Sequence, residues 1–294
     1  MPKSPRLVGI LVLCLLAGML LSLNPVVSRT FSRASSVIDS SEPSSKLPNL
    51  TGDAALKHLK QNGSYDSLAK AMQAAKYEVN WVDTPRLKRL GGAYEADNPD
   101  QGFTAYFTPE GVHLIDRNSD TPAWFLELKF RQIGYGDQLG DVSQGASAVA
   151  SHRIELTRTS SLISPPLTSA PTPESPALIE WYENRPAGLE HGMLIPFAPG
   201  GIRSETDRLR VAFDLDGNLQ TPLTSDGQAV EFFDRNGKGV LRYERLKVFD
   251  ATGQVLPAQI KLESGQVILE VDDLKAVYPI TIDPTFPHNK NSSG

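Results

Sequence analysis

The densest group of side chains able to do chemistry lies in the segment EWYENRPAGLEHG. It contains three carboxylates and an adjacent imidazole: Glu180, Glu183, Glu190 and His191. Glycoside hydrolysis needs a pair of carboxylates, one as general acid and one as base or nucleophile. Trp181 and the tyrosine after it would provide a stacking surface for a sugar ring. The segment therefore predicts, as one alternative, a carbohydrate-active enzyme using Glu183 and Glu190 near Trp181.

A structural interpretation of the same residues competes with the enzymatic one. In it Trp181 belongs to the core, Tyr182 is half-buried, and the glutamates are solvated at strand ends. Spacing along a chain does not fix the distance between two carboxylates. The sequence therefore favours a segment that builds the fold, and we expect no catalytic residue in the chain.

Two loops rich in Asp, Asn and Gly invite a calcium interpretation. The segment DLDGNLQ offers Asp214, Asp216 and Asn218 as oxygen ligands. The segment DRNGKGVLRYER resembles an EF-hand loop, but Lys238 and Arg245 stand at its fifth and twelfth positions, where charge-bearing oxygen ligands belong. Both loops also fit hairpin turns, which Asp, Asn and Gly favour. We expect turns and no metal, with a calcium-stabilised adhesion module as a further alternative that would use the first loop.

Other chemistry lacks a recognisable motif. The sequence contains no HExxH, GxSxG, GxxxxGK[ST] or strand-associated GxGxxG pattern, and we expect no cofactor. Five histidines are scattered singly and are predicted to lie at the surface or at strand ends: His58, His113, His152, His191 and His288. The formal net charge is −5, which gives no electrostatic basis for binding nucleic acid.

The elements that would position these residues are short strands. In RLRVAFDL the apolar Leu209, Val211, Phe213 and Leu215 alternate with polar residues, which is typical of a half-buried strand. Similar runs recur every 8–12 residues or so, separated by turn signals, as in sandwiches and barrels. We therefore predict a mainly β, antiparallel, sandwich-like module of one or two lobes. The candidate strands are 103–107, 112–116, 123–130, 208–215, 230–233, 240–243, 246–249, 258–263, 267–271 and 278–282.

Composition divides the chain into segments. A Ser- and Pro-rich stretch containing five prolines cannot sustain a strand or helix, so it is either a linker between lobes or a surface insertion. The predicted order is a helical element at 51–80, a β lobe at 81–158, the Pro/Ser-rich insert at 159–177, a second β lobe at 178–284 and a disordered tail at 285–294.

The helical element carries an apolar stripe. Tyr65, Leu68, Met72 and Ala75 fall on one face of a helix over SYDSLAKAMQAAKYEV. Such a stripe could bind a partner. We expect instead that it packs against the sheet that follows, because most amphipathic helices bury their apolar face in their own domain.

The N-terminus indicates export. Lys3 and Arg6 precede an uncharged apolar run over residues 7–23, which a secretory signal or a short membrane anchor would have. We assign 1–28 to that segment and 29–50 to a disordered tether, and we predict a cell-envelope or secreted location. Membrane contact would occur only through 7–23, if uncleaved. Cys14 is the only cysteine, so the exported part has no disulfide.

A series of motifs then resembles a known family. EWYENRPAGLEHG, together with NPDQGFTAYFTPEGVHL, IGYGD, HRIELTR and the closing YPITIDP, is similar to the N-terminal module of bacterial cell-surface proteins that precedes FG-GAP (integrin-α-like) or SBBP-type β-propeller repeats. The resemblance implies a non-catalytic, exported structural or interaction module. Its partners would be other surface proteins or a following repeat array. The motif positions are Glu180, Trp181, Tyr182, Asn184, Gly188, Leu189, Glu190, Gly192, Tyr278, Pro279, Asp283 and Pro284.

Overall fold

A computed structural model describes residues 51–163, 177–224 and 226–289. The predicted signal or anchor, the tether and most of the Pro/Ser-rich insert lie outside the described residues. Two helices come first, α1 at Gly52–Gln61 and α2 at Ser64–Ala75. Fifteen strands follow: β1 Val79–Val82, β2 Ala93–Asn98, β3 Phe103–Thr108, β4 Gly111–Asp116, β5 Phe125–Tyr135, β6 Gln138–Ala150, β7 Arg153–Ser160, β8 Leu178–Arg185, β9 Gly188–Ile195, β10 Leu209–Gly217, β11 Val230–Phe233, β12 Gly239–Phe249, β13 Ala258–Glu263, β14 Gln266–Val271 and β15 Ile280–Phe286.

The strands form two connected antiparallel layers. One layer has the order β1-β2-β3-β4-β5-β10-β14-β13, and the other has the order β6-β7-β8-β9-β15-β12-β11. Strand β6 joins them, because 138–141 pair with β5 and 142–150 pair with β7. The predicted mainly β, sandwich-like fold is confirmed.

Apolar side chains from both layers meet in one continuous core. Phe107 of β3 lies 5.2 Å from Tyr182 of β8, measured between ring centroids. The alternation predicted in β10 is present, since Leu209, Val211 and Phe213 are fully buried. Strands on either side of the insert pair with each other, as β7 does with β8 and β5 with β10.

Two boundaries differ from those predicted. The runs at 240–243 and 246–249 form the single strand β12, whose register with β15 shifts between Glu244 and Lys247 where Arg245 adopts a φ of 62°. Strand β15 continues to Phe286, past the point where the tail was expected to begin. Phe286 packs its ring 4.4 Å from Tyr243, so burial of this aromatic extends the strand.

The helical hairpin differs from prediction in its packing. Neither helix contains a buried residue. Leu68 and Met72 of the predicted stripe are 45% and 63% exposed, and Tyr65 is 37% exposed. The expectation that the stripe packs on the following sheet is wrong. The two helices contact each other, and Leu56, Leu68 and Met72 face outward.

Candidate functional site

Strands β8 and β9 present the EWYENRPAGLEHG segment as a hairpin with two different faces. Successive side chains on a strand point to opposite faces. Glu180, Tyr182 and Asn184 point into the sandwich and are at most 1% exposed, whereas Trp181 and Glu183 lie on the outer face and are partly exposed. The expected core position of Trp181 and solvated position of Glu180 are therefore wrong, because the strand is in the opposite phase.

Glu180 is the centre of a buried polar network. Both Nε and Nη2 of Arg158 lie 2.7 Å from its Oε2. The Tyr182 hydroxyl donates to Oε1 at 2.6 Å, and His191 Nε2 lies 3.2 Å from the same oxygen. Arg158 is itself only 3% exposed, and it also donates to the Pro109 carbonyl of the β3–β4 turn. The network joins β7, β8 and β9 of one layer to the other layer.

This environment holds Glu180 in its ionised form. Burial alone would raise its pKa, because a low dielectric disfavours the carboxylate. The hydrogen bond from His191 and the charge of Arg158 more than offset burial and lower the pKa to about 2. Glu180 is therefore a paired structural anion.

His191 extends the network to the last strands. Its ring stacks on Tyr182 at 4.6 Å between centroids, and its Nδ1 lies 2.9 Å from the Tyr243 hydroxyl. A ring nitrogen that faces a carboxylate carries its proton, so Nε2 donates to Glu180 and the Tyr243 hydroxyl donates to Nδ1. The surface position predicted for His191 is wrong, and so is that of His113, which is 4% exposed.

The remaining positions of the motif also have structural roles. Asn184 Nδ2 donates to the carbonyls of Asp97 and Tyr77, at 2.9 and 3.2 Å, and ties the hairpin to β2. Gly188 has a φ of 143°, and a Cβ there would lie 2.7 Å from the Phe286 carbonyl oxygen. Leu189 is fully buried. Each residue type is required by close packing or by a buried hydrogen bond.

The outer face brings Glu183 and Glu190 together. They are direct cross-strand partners on β8 and β9, so their side chains share one face. Glu183 contacts His152 at 2.7 Å and Arg185 at 2.9 Å, and Arg185 Nε also lies 3.2 Å from Glu190. The two carboxylates of the enzymatic alternative are thus neighbours, and both are engaged in ion pairs.

The pKa values of these two carboxylates move in opposite directions. Burial raises the pKa of Glu183, but hydrogen bonds with His152 and Arg185 outweigh it and leave that pKa lowered. For Glu190, burial outweighs the charge of Arg185, and the pKa is raised. The two carboxyl groups thus differ in the direction in which the acid and the base of a catalytic pair differ.

Trp181, however, has little free surface to offer a sugar. Its indole lies over Gly192, where an added Cβ would be 2.1 Å from a ring carbon. The Arg153 guanidinium stacks on the ring at 4.7 Å from its centroid. Gly192 is therefore required by the indole, and Arg153 already occupies the stacking position.

The closing motif YPITIDP is tied to the layer that contains β5 through a shared contact with Asp273. The Tyr278 hydroxyl donates to Asp273 Oδ2 at 2.5 Å, and the Tyr135 hydroxyl of β5 donates to the same oxygen at 2.6 Å. The Tyr278–Pro279 peptide bond is cis, and Pro284 is buried within β15. Burial raises the pKa of Asp283, which pairs with Lys247 across β15 and β12.

The calcium candidates have protein partners. Asp214 accepts a hydrogen bond from Gln266 at 2.8 Å, and Asp216 accepts one from the Gly217 amide at 2.8 Å. Asn218 Oδ1 accepts from the Phe125 amide at 2.9 Å, which closes the end of β10 on β5. Among the described residues, no group of three or more His, Cys, Asp or Glu side chains is arranged to hold a metal ion.

A second polar group was missed by sequence reasoning. Glu127 of β5 is the cross-strand partner of His113 on β4, and Thr108 at the end of β3 lies 3.3 Å from His113 Nε2. These residues line a cavity of about 410 Å³ that Arg89 and Lys129 also border. Thr108, His113 and Glu127 lie on three separate strands, and only the register of those strands brings the side chains together.

Comparison of the chain with protein-family models, with curated proteins and with solved structures gives no match. Of the two helices in the described part of the chain, neither has the length and apolar character needed to cross a bilayer.

Proposed function

We propose that the chain is an exported structural and interaction module of a bacterial cell-surface protein, in which the EWYENRPAGLEHG residues build the fold and have no catalytic role. One observation carries the structural part of the proposal: the EWYENRPAGLEHG positions are occupied by internal packing, hydrogen bonds and ion pairs. Export and the cell-surface class rest on the N-terminal apolar run and on the motif resemblance. Glu180 and Asn184 lie in buried networks, and Gly188 and Gly192 relieve close contacts.

The helical hairpin supports the interaction part of the proposal. Helices of 10 and 12 residues are marginal in water unless an apolar face is covered. Leu56, Leu68 and Met72 remain exposed on a hairpin that precedes the packed strands. The partner class we propose is another surface protein or a following repeat array.

Cell fractionation tests the proposal. An immunoblot with antibody to residues 180–284 should find the chain in the envelope or the medium. Detection in the cytosol alone would contradict export. A band much larger than 32.0 kDa would indicate that these residues are the head of a longer repeat protein.

A carbohydrate-active enzyme remains the second candidate, because Glu183 and Glu190 are adjacent and their pKa values are displaced in opposite directions. Release of reducing sugar from envelope polysaccharide by the wild-type chain, lost in both Glu183→Gln and Glu190→Gln, would favour it. Equal readings from all three proteins would remove it.

A further inference from the structure

The cavity beside β3, β4 and β5 is a formed pocket. The segment between β1 and β2 covers it and is held by Arg86, which donates to the carbonyls of Arg117 and Ser119 at 3.1 and 3.0 Å. Arg89 of this segment stacks on Phe125 at 4.9 Å and pairs with Glu127. Lys129 pairs with Glu127 at 3.1 Å and with Glu110 at 3.2 Å, so the pocket wall carries charges of both signs.

His113 is buried at the base of this pocket with an incompletely satisfied ring. Its side chain is 5% exposed, and Nδ1 has no aligned hydrogen bond among the described residues, although Glu127 Oε1 lies 3.4 Å away. A buried polar atom without a partner calls for an explanation, and catalytic sites are one recurring explanation. Here the atom lies in a cavity with other polar groups.

Electrostatics assign the ring proton. A carboxylate only accepts hydrogen bonds, so the proton of a neutral His113 belongs on Nδ1, facing Glu127. The lone pair of Nε2 then faces the Thr108 hydroxyl at 3.3 Å, and a second acceptor within reach of that hydroxyl is the Gly111 carbonyl at 3.4 Å. Burial, and then the charges of Arg89 and Lys129, lower the pKa of His113 to about 4, so the ring is neutral at pH 7.

A hydroxyl, a neutral imidazole and a carboxylate in this order are the parts of an activated nucleophile, and the contacts are often longer when no substrate is bound. We propose that this pocket is a hydrolytic site in which Thr108 is the nucleophile, His113 the general base and Glu127 a positioning residue. This role goes beyond the proposed function and does not depend on it.

The step balances without a redox partner. Thr108 Oγ1 forms a bond to the acyl carbon of an ester while its proton passes to His113 Nε2. The ester C–O bond breaks, and the departing alkoxide takes that proton. Water then attacks the acyl-threonine, gives a proton to His113, and releases the carboxylic acid as Thr108 regains its proton. The net reaction converts ester and water into acid and alcohol.

The walls define the substrate class. Arg89 and Lys129 are the cations placed to stabilise the oxyanion that forms on the acyl group. Glu110 and Glu127, with which they pair, balance their charge, so the pocket does not select for an anionic substrate. Leu90 and Pro109 provide limited apolar surface. A cavity of about 410 Å³ fits a small molecule. The expected substrates are short, uncharged carboxylic esters.

The test uses the full-length chain with 4-nitrophenyl acetate and 4-nitrophenyl hemisuccinate. We expect nitrophenolate release above the buffer rate from the acetate ester, and no faster release from the negatively charged ester. Thr108→Val should lower the rate about a hundredfold or more, and Thr108→Ser should retain it. Mass spectrometry after acid quench should locate an acyl group on Thr108. The rate should stay flat between about pH 6 and 8 and fall toward pH 4.

Thr281→Val, the same change at a partly exposed position of β15 in the other layer, is the matched control and should hydrolyse like wild type. Absence of release from the wild-type chain overturns the proposal, as does a Thr108→Val rate equal to wild type. Loss of activity in Thr108→Ser as well as Thr108→Val would assign Thr108 a structural role and also overturn it. If Thr108→Val fails to fold, the residue acylated in the wild-type chain tests the proposal instead. An acyl group on Thr108 supports it, and an acyl group on another residue contradicts it.

Discussion

Replacing Glu180 by Gln should destabilise the fold strongly. The substitution keeps the shape but leaves Arg158, which is 3% exposed, without its counterion. Breaking a buried ion pair from one side costs about 3–5 kcal/mol. The lowering of the Glu180 pKa from 4.5 to about 2 gives a similar value, about 3 kcal/mol. A loss of this size is a large fraction of the 5–15 kcal/mol typical of a domain.

The same carboxylate makes stability depend on pH. The folded-state pKa of Glu180 is depressed, so its contribution is complete above the unfolded value of 4.5 and is lost as pH falls toward about 2. Wild-type stability should therefore decline across that interval. Glu180→Gln should show a shallower decline, because the group that takes up the proton is absent.

Urea unfolding of the full-length chain, followed by tryptophan fluorescence, measures both effects. Glu183→Gln is the matched control: it is the same change on the same strand, but on the outer face, where an ion pair is worth about 1 kcal/mol or less. Equal unfolding free energies for Glu180→Gln and wild type would refute the assignment of Glu180 as a buried structural anion.

Three further outcomes are expected. Gly192→Ala should lower the free energy of unfolding by about 1–3 kcal/mol, because its Cβ would overlap the indole of Trp181. The loss should nearly vanish in a Trp181→Ala background. An unchanged loss in that background would disprove the contact. Chelator should not shift the melting temperature, because Asp214 and its neighbours bond to protein groups; a clear drop would establish a cation site. Leu68→Ser with Met72→Ser should leave the unfolding free energy unchanged yet reduce cross-linking to envelope proteins; undiminished cross-linking would show that another surface binds the partner.

The strands β3–β5 and β10–β15 were predictable because one signal, alternation of apolar and polar residues, reports burial directly. The strands β1, β2 and β6–β9 were not among the candidate strands. Leu209, Val211 and Phe213 have the phase expected for them. The predicted strand 230–233 coincides with β11, and 258–263 coincides with β13. In these segments local pattern and tertiary burial agree.

The phase of β8 could not be predicted in this way. In EWYENR both possible faces carry an aromatic and a glutamate, so alternation does not distinguish them. The phase depends on Arg158 and His191, which reach Glu180 from neighbouring strands. A carboxylate is compatible with the interior only when such partners are present, and the sequence does not show which residues they are.

The prediction that the apolar stripe of α2 packs on the sheet was wrong for a related reason. Spacing places Tyr65, Leu68 and Met72 on one face of α2, but it carries no information on whether anything covers that face, and all three are exposed. Thr108, His113 and Glu127 show the same limit, because only the register of β3, β4 and β5 brings them together. Long-range pairing, which a single sequence does not display, decides each case.

Amide hydrogen exchange along β8 and β9 in the native full-length chain tests most directly whether the motif segment builds the fold. Residues 178–195 should be among the slowest to exchange, with opening free energies equal to that of global unfolding, because their buried networks can open only when both layers separate. Fast exchange through local opening of this hairpin, while β5 and β10 remain protected, would contradict a structural role for the segment.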